Sequence, residues 1–227
     1  RFDGRVLGEI IRNGVPSGFQ NSVISIANVF VQTNINAFGK MAMAGCGSYA
    51  KIEGFAFLPV TCFTMALTTF VSQNLGAKQY DRAKKGARFG ILCSVAIAEL
   101  IGFVIYVAAP TLIAAFNSDP SVVHYGVMQA RTIALFYFLL AFSHCIAAVL
   151  RGSGHASIPM AVMLCVWCLF RVSYITVTVR LIPDIRVIFW AYPLTWSISS
   201  VIFLYLFLKG KWVYGFEKSD RNPKKRG

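Results

Sequence analysis

Six stretches of this chain are each long and apolar enough to cross a lipid bilayer, and nothing else about the sequence restricts its fold as tightly. They run over residues 14–38, 53–74, 88–109, 122–149, 157–180 and 187–208. A helix needs about 20 apolar residues to span the hydrocarbon layer. Only helices and closed barrels satisfy every backbone polar group in lipid, and these runs are too long for barrel strands. The expected fold class is therefore all-α integral membrane: a six-transmembrane-helix bundle over residues 1–210, with a basic tail over 211–227. Breakers separate the runs, namely Gly39 with Gly45 and Gly47, Gly76, Asn117-Ser118-Asp119-Pro120, Gly152-Ser153-Gly154 and Pro183-Asp184. Residues 110–116 read as a short interfacial continuation of the third span.

Charge agrees with this reading. Only 14% of residues are charged while 56% are hydrophobic, too little charge to wet the surface of a soluble domain. The net charge of +13 lies in short runs between apolar stretches. It therefore reads as membrane topology and attraction to anionic headgroups, with no nucleic acid as partner. One side collects Arg1, Arg5 and Arg12, then Lys78, Arg82, Lys84, Lys85 and Arg88, then Arg151 and the tail from Lys209 to Arg226. The other side holds Lys40, Lys51, Arg180 and Arg186. The positive-inside rule places both termini in the cytoplasm, in a multi-pass protein of a prokaryotic plasma membrane. The chain opens on Arg1 rather than Met, and an absent upstream part is expected.

Polar residues inside the spans point to function. Ser17, Asn21, Ser25, Asn28, Gln32 and Asn36 follow one another at intervals of 4, 4, 3, 4 and 4, which draws one narrow stripe along a helix. Amides facing lipid are costly, so the stripe faces a neighbouring helix or water. Interhelical hydrogen bonding rarely uses so many residues in line, which favours the wall of a hydrated cavity. Asn21, Ser25, Asn28, Gln32 and Asn36 are the candidate substrate path. Glu53, Thr61, Thr64, Thr68 and Ser72 add polarity to the second span; Glu53 lies near its outer end and reads as a wetted residue or a further candidate.

Three charged residues fall near mid-span: Glu99, Arg131 and Arg171. A charge there costs a few kcal/mol unless it is paired or hydrated. Pairing of Glu99 with an arginine inside the bundle is expected, as a structural ion pair or a coupling site. The six cysteines show no four-ligand spacing, and His124, His144 and His155 share none either, so no metal site is expected. Phosphate loops, HExxH and a nucleophile elbow are absent, and nine acidic residues leave little for paired-carboxylate chemistry. An enzyme is not expected.

Several local patterns occur in a telling order. The first span opens Gly14-Val15-Pro16 and ends Asn36-Ala37-Phe38-Gly39. The second passes Pro59 into Phe70-Val71-Ser72-Gln73-Asn74-Leu75-Gly76-Ala77, followed by Asp81-Arg82-Ala83-Lys84-Lys85. The fourth ends Leu150-Arg151-Gly152-Ser153-Gly154, and the fifth carries Trp167-x-x-x-Arg171. Together they resemble the C-terminal six of the twelve spans of the multidrug and toxic compound extrusion (MATE) family of secondary transporters.

The resemblance implies one lobe of a two-lobe transporter, facing an absent N-terminal lobe across a central cavity. It implies efflux of cationic or amphipathic drugs and toxic compounds by alternating access, driven by Na⁺ or H⁺, with no cofactor. Residues 76–85 would form the cytoplasmic hinge between the second and third spans, and the stripe would line the cavity. Some members carry acidic residues in the seventh and tenth spans; here the first span has no Asp or Glu, and none lies between Pro120 and Pro183. Coupling is thus expected from the absent lobe or from Glu99, and no transport from this lobe alone. The alternatives are a lipid-linked glycan flippase of the same superfamily, for which only Arg131 and Arg171 could meet a pyrophosphate, a truncated scaffold that does not transport, and a membrane enzyme acting on lipid.

Overall fold

The computed structural model describes residues 4–209 and 212–213, apart from seven side chains near the start of the first helix. The side chain of Ser17 and the charges of Arg1, Arg5, Arg12 and the tail beyond Val213 lie outside what is described. Among the described residues every regular element is helical. The elements are α1 (Gly4–Asn36), α2 (Lys40–Gly76), α3 (Tyr80–Ala114), α4 (Pro120–Ile133), α5 (Tyr137–Gly152), α6 (Ser157–Met163), α7 (Arg171–Leu181) and α8 (Ile185–Leu208).

Two pairs of these elements run on as single rods. A 3₁₀ turn, Ala134–Phe136, joins α4 to α5, and a π-helical stretch, Leu164–Phe170, joins α6 to α7. The result is six rods. Five are long and apolar enough to cross a membrane by length and composition: α2, α3, the α4–α5 rod, the α6–α7 rod and α8. The sixth, α1, has 33 residues and ample length, but its polar stripe dilutes its hydropathy. Lipid-facing side chains stud the outside of the others, with Phe55, Met65, Phe89, Leu92, Val107 and Val201 all largely exposed.

The start signals are local. Asp119 caps α4 by accepting a 2.8 Å hydrogen bond from the Ser121 amide, with Pro120 in the first turn. Asp184 caps α8 in the same way through the Arg186 amide at 2.8 Å. Such caps satisfy amides that the first helical turn leaves without partners. Gly39, at φ +100°, makes the sharp turn between α1 and α2 in a region that disfavours side chains.

The core forms where α2, α3, α4 and α5 pack together, with α8 closing it. Here the structure corrects the expectation that Gly45 and Gly47 belong to a connection. Both lie inside α2, which begins at Lys40, and Cys46 between them is buried. A side chain at Gly45 would collide with the backbone of Val122 and Gly126 on α4, and one at Gly126 with Gly45 and Ile113. The close α2–α4 approach outweighs the ~1 kcal/mol that glycine costs in a helix.

Candidate functional site

A cavity of about 290 Å³ opens between α1, α2, α5, α8 and the π-helical stretch with α7. Helix α1 supplies Asn28 and Gln32, α2 supplies Glu53 and Phe57, and α5 supplies His144. Trp167 and Arg171 come from the interrupted rod, Tyr192 and Trp196 from α8.

Arg171 is the most constrained of these residues, 1% exposed in the middle of its rod. Its Nη1 donates to Asn28 Oδ1 at 3.3 Å and its Nη2 to Thr195 Oγ1 at 3.0 Å. Thr195 can accept because its own hydroxyl proton is directed to the backbone carbonyls of Ala191 and Tyr192. The guanidinium also lies 4.9 Å from the Trp167 ring centre and 4.7 Å from that of Tyr192. Cation–π contacts are strongest where water is excluded. Position 171 follows directly on the π-helical stretch, and a wide turn of this kind re-aims side chains and recurs at functional sites.

Glu53 corrects its sequence assignment as an end residue in water. Because α2 starts at Lys40, Glu53 sits well inside the helix, half-buried and facing the cavity. Tyr49, one turn earlier, donates to its Oε1 at 3.5 Å, and the Tyr49 and Tyr137 hydroxyls share a 2.8 Å hydrogen bond. Glu53 and Arg171 thus share one cavity with opposite charges that act on each other, yet are not in ion-pair contact. The guanidinium's hydrogen bonds go to Asn28 and Thr195 instead.

The rest of the stripe divides. All five residues from Asn21 to Asn36 are exposed. Asn28 and Gln32 line the cavity, and Gln32 also donates from Nε2 to Asn36 Oδ1 at 2.8 Å. Ser25 turns its hydroxyl to the Asn21 carbonyl at 3.0 Å, as helical serines commonly do. Asn21, Ser25 and Asn36 are not among the residues lining the cavity.

Glu99 and Arg131 do not join the site. Among the described residues the expected pairing of Glu99 with an arginine is not formed: its carboxylate accepts instead from the Phe138 amide at 3.4 Å. The 3₁₀ turn ahead of α5 interrupts the regular hydrogen-bond ladder and presents that amide. Arg131 is exposed and lies over the Tyr106 ring at 5.7 Å. Among the described residues Arg171 is therefore the only arginine that lines the cavity, and Arg131 does not join it there.

Tyr49, Tyr137, Tyr192, Thr195 and Trp196 carry no signal in the sequence, because only packing of distant segments brings them here. Trp167 and Arg171 can be associated from sequence, since residues four apart share a helix face.

These observations define a helical membrane bundle with an oppositely charged cavity on one side. Its relatives give it a family. The MatE family model matches residues 16–176, and the chain belongs to that family. It is 26% identical over 216 residues to a probable multidrug resistance protein NorM of Thermotoga maritima, covering 90% of this chain and 44% of that protein. It is 24% identical over 162 residues to the probable multidrug resistance protein YoeA of Bacillus subtilis, covering 71% of this chain and 35% of that protein. Among solved structures, a MATE crystal structure in a bent conformation superposes with a TM-score of 0.87 at 17% identity. That superposition covers 98% of this chain and 49% of the other. A point mutant of the Vibrio cholerae MATE transporter VcmN superposes at 0.84 with 17% identity, over 92% of this chain and 47% of the other. The fold is that of one MATE lobe, and the chain spans about half the length of the curated relatives it matches.

Proposed function

We propose that this chain forms one lobe of a secondary efflux transporter in a prokaryotic plasma membrane, with both termini cytoplasmic. With its partner lobe it carries small amphipathic or cationic compounds outward in exchange for Na⁺ or H⁺. One observation carries this reading: a carboxylate, an arginine and two amides line a cavity in a bundle whose outside carries exposed apolar side chains. Ionisable groups are kept at such depth in a membrane where they bind or move something charged. The relatives from Thermotoga maritima and Bacillus subtilis, probable multidrug resistance proteins, support the same class.

The second lobe of a MATE transporter supplies the opposite wall, and the exposed amides of α1 face toward it. Glu53 is the coupling group in this lobe. A cation bound at its carboxylate competes with a bound ligand, so that loading one releases the other. This assigns to Glu53 the role that the sequence offers to Glu99.

The test is dye efflux by the full-length protein in cells stripped of other pumps, with the Na⁺ and H⁺ gradients collapsed separately. Efflux should fall with one gradient and should fall equally in the Glu53→Gln variant. Efflux that ignores both gradients would sink the antiport reading.

A further inference from the structure

A second pocket, also of about 290 Å³, lies outside the cavity, in the groove between α2 and the last turn of α5. Thr64, Met65, Thr68 and Thr69 line it from α2, and Arg151 from α5. The two helices are locked together here. A side chain at Gly152 would strike the Thr68 carbonyl, and the Thr68 hydroxyl reaches the Ala148 carbonyl at 3.3 Å. Arg151 is half-buried, and among the described residues its guanidinium meets no carboxylate and donates no hydrogen bond. A guanidinium offers five donors, and in a membrane protein its charge is costly without an anion or water. Thr64 and Thr68 turn their hydroxyl protons to carbonyls of their own helix, at 2.8 Å each. The exposed Thr69 hydroxyl bonds none of the described residues. Arg151 and Thr69 are thus donors in want of an oxyanion.

Their depth fits the edge of the hydrocarbon layer. Helix α2, with 37 residues, is about 54 Å long against about 30 Å of hydrocarbon. When centred it protrudes by about 12 Å at each end. Gly152 meets α2 at Thr68, eight residues or about 12 Å before the helix ends at Gly76. Arg151 therefore stands where hydrocarbon gives way to headgroups, and its long side chain can snorkel the remaining distance. From the pocket an apolar file runs toward the middle of the membrane. Leu58, Cys62 and Met65 share a face with Thr69 at intervals of 4, 3 and 4, and all are exposed.

We infer that this groove holds one anionic phospholipid, its phosphate oxygens on Arg151 and Thr69 and an acyl chain along Met65, Cys62 and Leu58. An acidic side chain of the second lobe would answer Arg151 but leave the apolar file unused. Free phosphate has no tail to lay along it. A zwitterionic lipid carries the same phosphate, but its own ammonium offsets the charge that Arg151 meets. The lipid is a fixed companion of α2 and α5, not cargo. None of its contact residues lines the cavity, so the inference stands apart from the proposed transport.

Native mass spectrometry of the full-length protein, delipidated in detergent, reads the site directly. The probes are dioleoylphosphatidylglycerol and dioleoylphosphatidylcholine, which share their acyl chains, and inorganic phosphate, which has none. The parent should hold one phosphatidylglycerol about tenfold more tightly than phosphatidylcholine, the factor expected from one charge-assisted hydrogen bond. Arg151→Gln should abolish that preference, and Arg151→Lys should keep part of it. Thr69→Val, at an exposed position, should weaken phosphatidylglycerol binding roughly threefold and decides the case where Arg151→Gln does not fold. Equal binding of the two lipids, or a preference that survives both Arg151→Gln and Thr69→Val, overturns the inference. Inorganic phosphate binding as tightly as the lipid overturns it as well. A lower thermal midpoint of Arg151→Gln in lipid-free detergent, with lipid binding unchanged, assigns the arginine to a carboxylate of the second lobe and also overturns it. Each of these failures leaves the proposed function standing.

Discussion

Helix α1 leaves Asn21, Ser25, Asn28, Gln32 and Asn36 exposed, whereas elsewhere in the lobe α5 buries every residue from Cys145 to Leu150. The same chain thus treats two helices in opposite ways. Helix α5 is packed by small residues at close approach, and Gly102 on α3 sits so tightly against the Ala134 carbonyl ahead of it that no side chain fits there. In lipid, helices gain little from hiding apolar surface, so close packing and interhelical hydrogen bonds must hold them together. Ser143 on α5 bonds Ser200 on α8 at 2.8 Å in this region, and the Tyr49–Tyr137 pair links α2 to α5. Helix α1 buries a seam of Ala27, Val31 and Ile35 against the lobe. Close packing lies on one side and the cavity-lining amides of Asn28 and Gln32 on the other. That division suits a lobe that moves as a body around its cavity.

The comparison can be broken by disturbing the rigid side first. Gly45→Leu forces a side chain into the α4 backbone at Val122 and Gly126. Overpacking of this kind costs about 3 kcal/mol at its upper range, and more where backbone stands in the way. The thermal midpoint in nanodiscs should drop sharply or folded protein should not be recovered; an unchanged midpoint would mean that the core is not close-packed. Tyr137→Phe is milder. It removes one hydrogen bond of the buried Tyr49 hydroxyl and leaves its longer bond to Glu53, at a cost of about 1 kcal/mol, read as a lower midpoint with the helical content retained.

Much of this architecture is legible in the residues, and the failures have physical causes. The apolar runs and their breakers locate the rods, since crossing lipid demands a length that composition records directly. The stripe on α1 is visible because residues 3 and 4 apart align on a helix. Glu53 is misplaced by any reading that treats glycine as a breaker, whereas Gly45 is a packing residue whose partner, Gly126, is remote in sequence. The Glu99 pairing fails because the 3₁₀ turn at Ala134–Phe136, which no composition signals, offers the carboxylate a backbone amide. The hydroxyl pair that touches Glu53 joins residues 88 apart, which sequence periodicity does not reach.

Glu99 sharpens the contrast at a smaller scale. A buried ion pair broken on one side costs about 3–5 kcal/mol. Glu99 instead accepts one long hydrogen bond from the Phe138 amide, which a glutamine carbonyl can also accept. Glu99→Gln should therefore shift the thermal midpoint by the equivalent of about 0.5 kcal/mol or less. A loss several times larger would restore the arginine partner that the geometry denies it.

The smallest stability change and the most specific functional one should coincide on α1. Gln32→Leu removes an exposed amide whose described hydrogen bond runs within its own helix to Asn36. Changes at exposed positions without special contacts stay within about 0.5 kcal/mol. Insertion and the thermal midpoint should hold, while the range of dyes exported by the full-length protein should narrow or shift. Asn28→Leu should move substrate range further, because it also withdraws the acceptor that Arg171 Nη1 uses and frees the guanidinium toward the cavity. Of the two, only Asn28→Leu should alter the ranking of charged substrates. If both variants export the same compounds at the same rates as the parent, the stripe serves packing against the other lobe, and α1 joins α5 as scaffold.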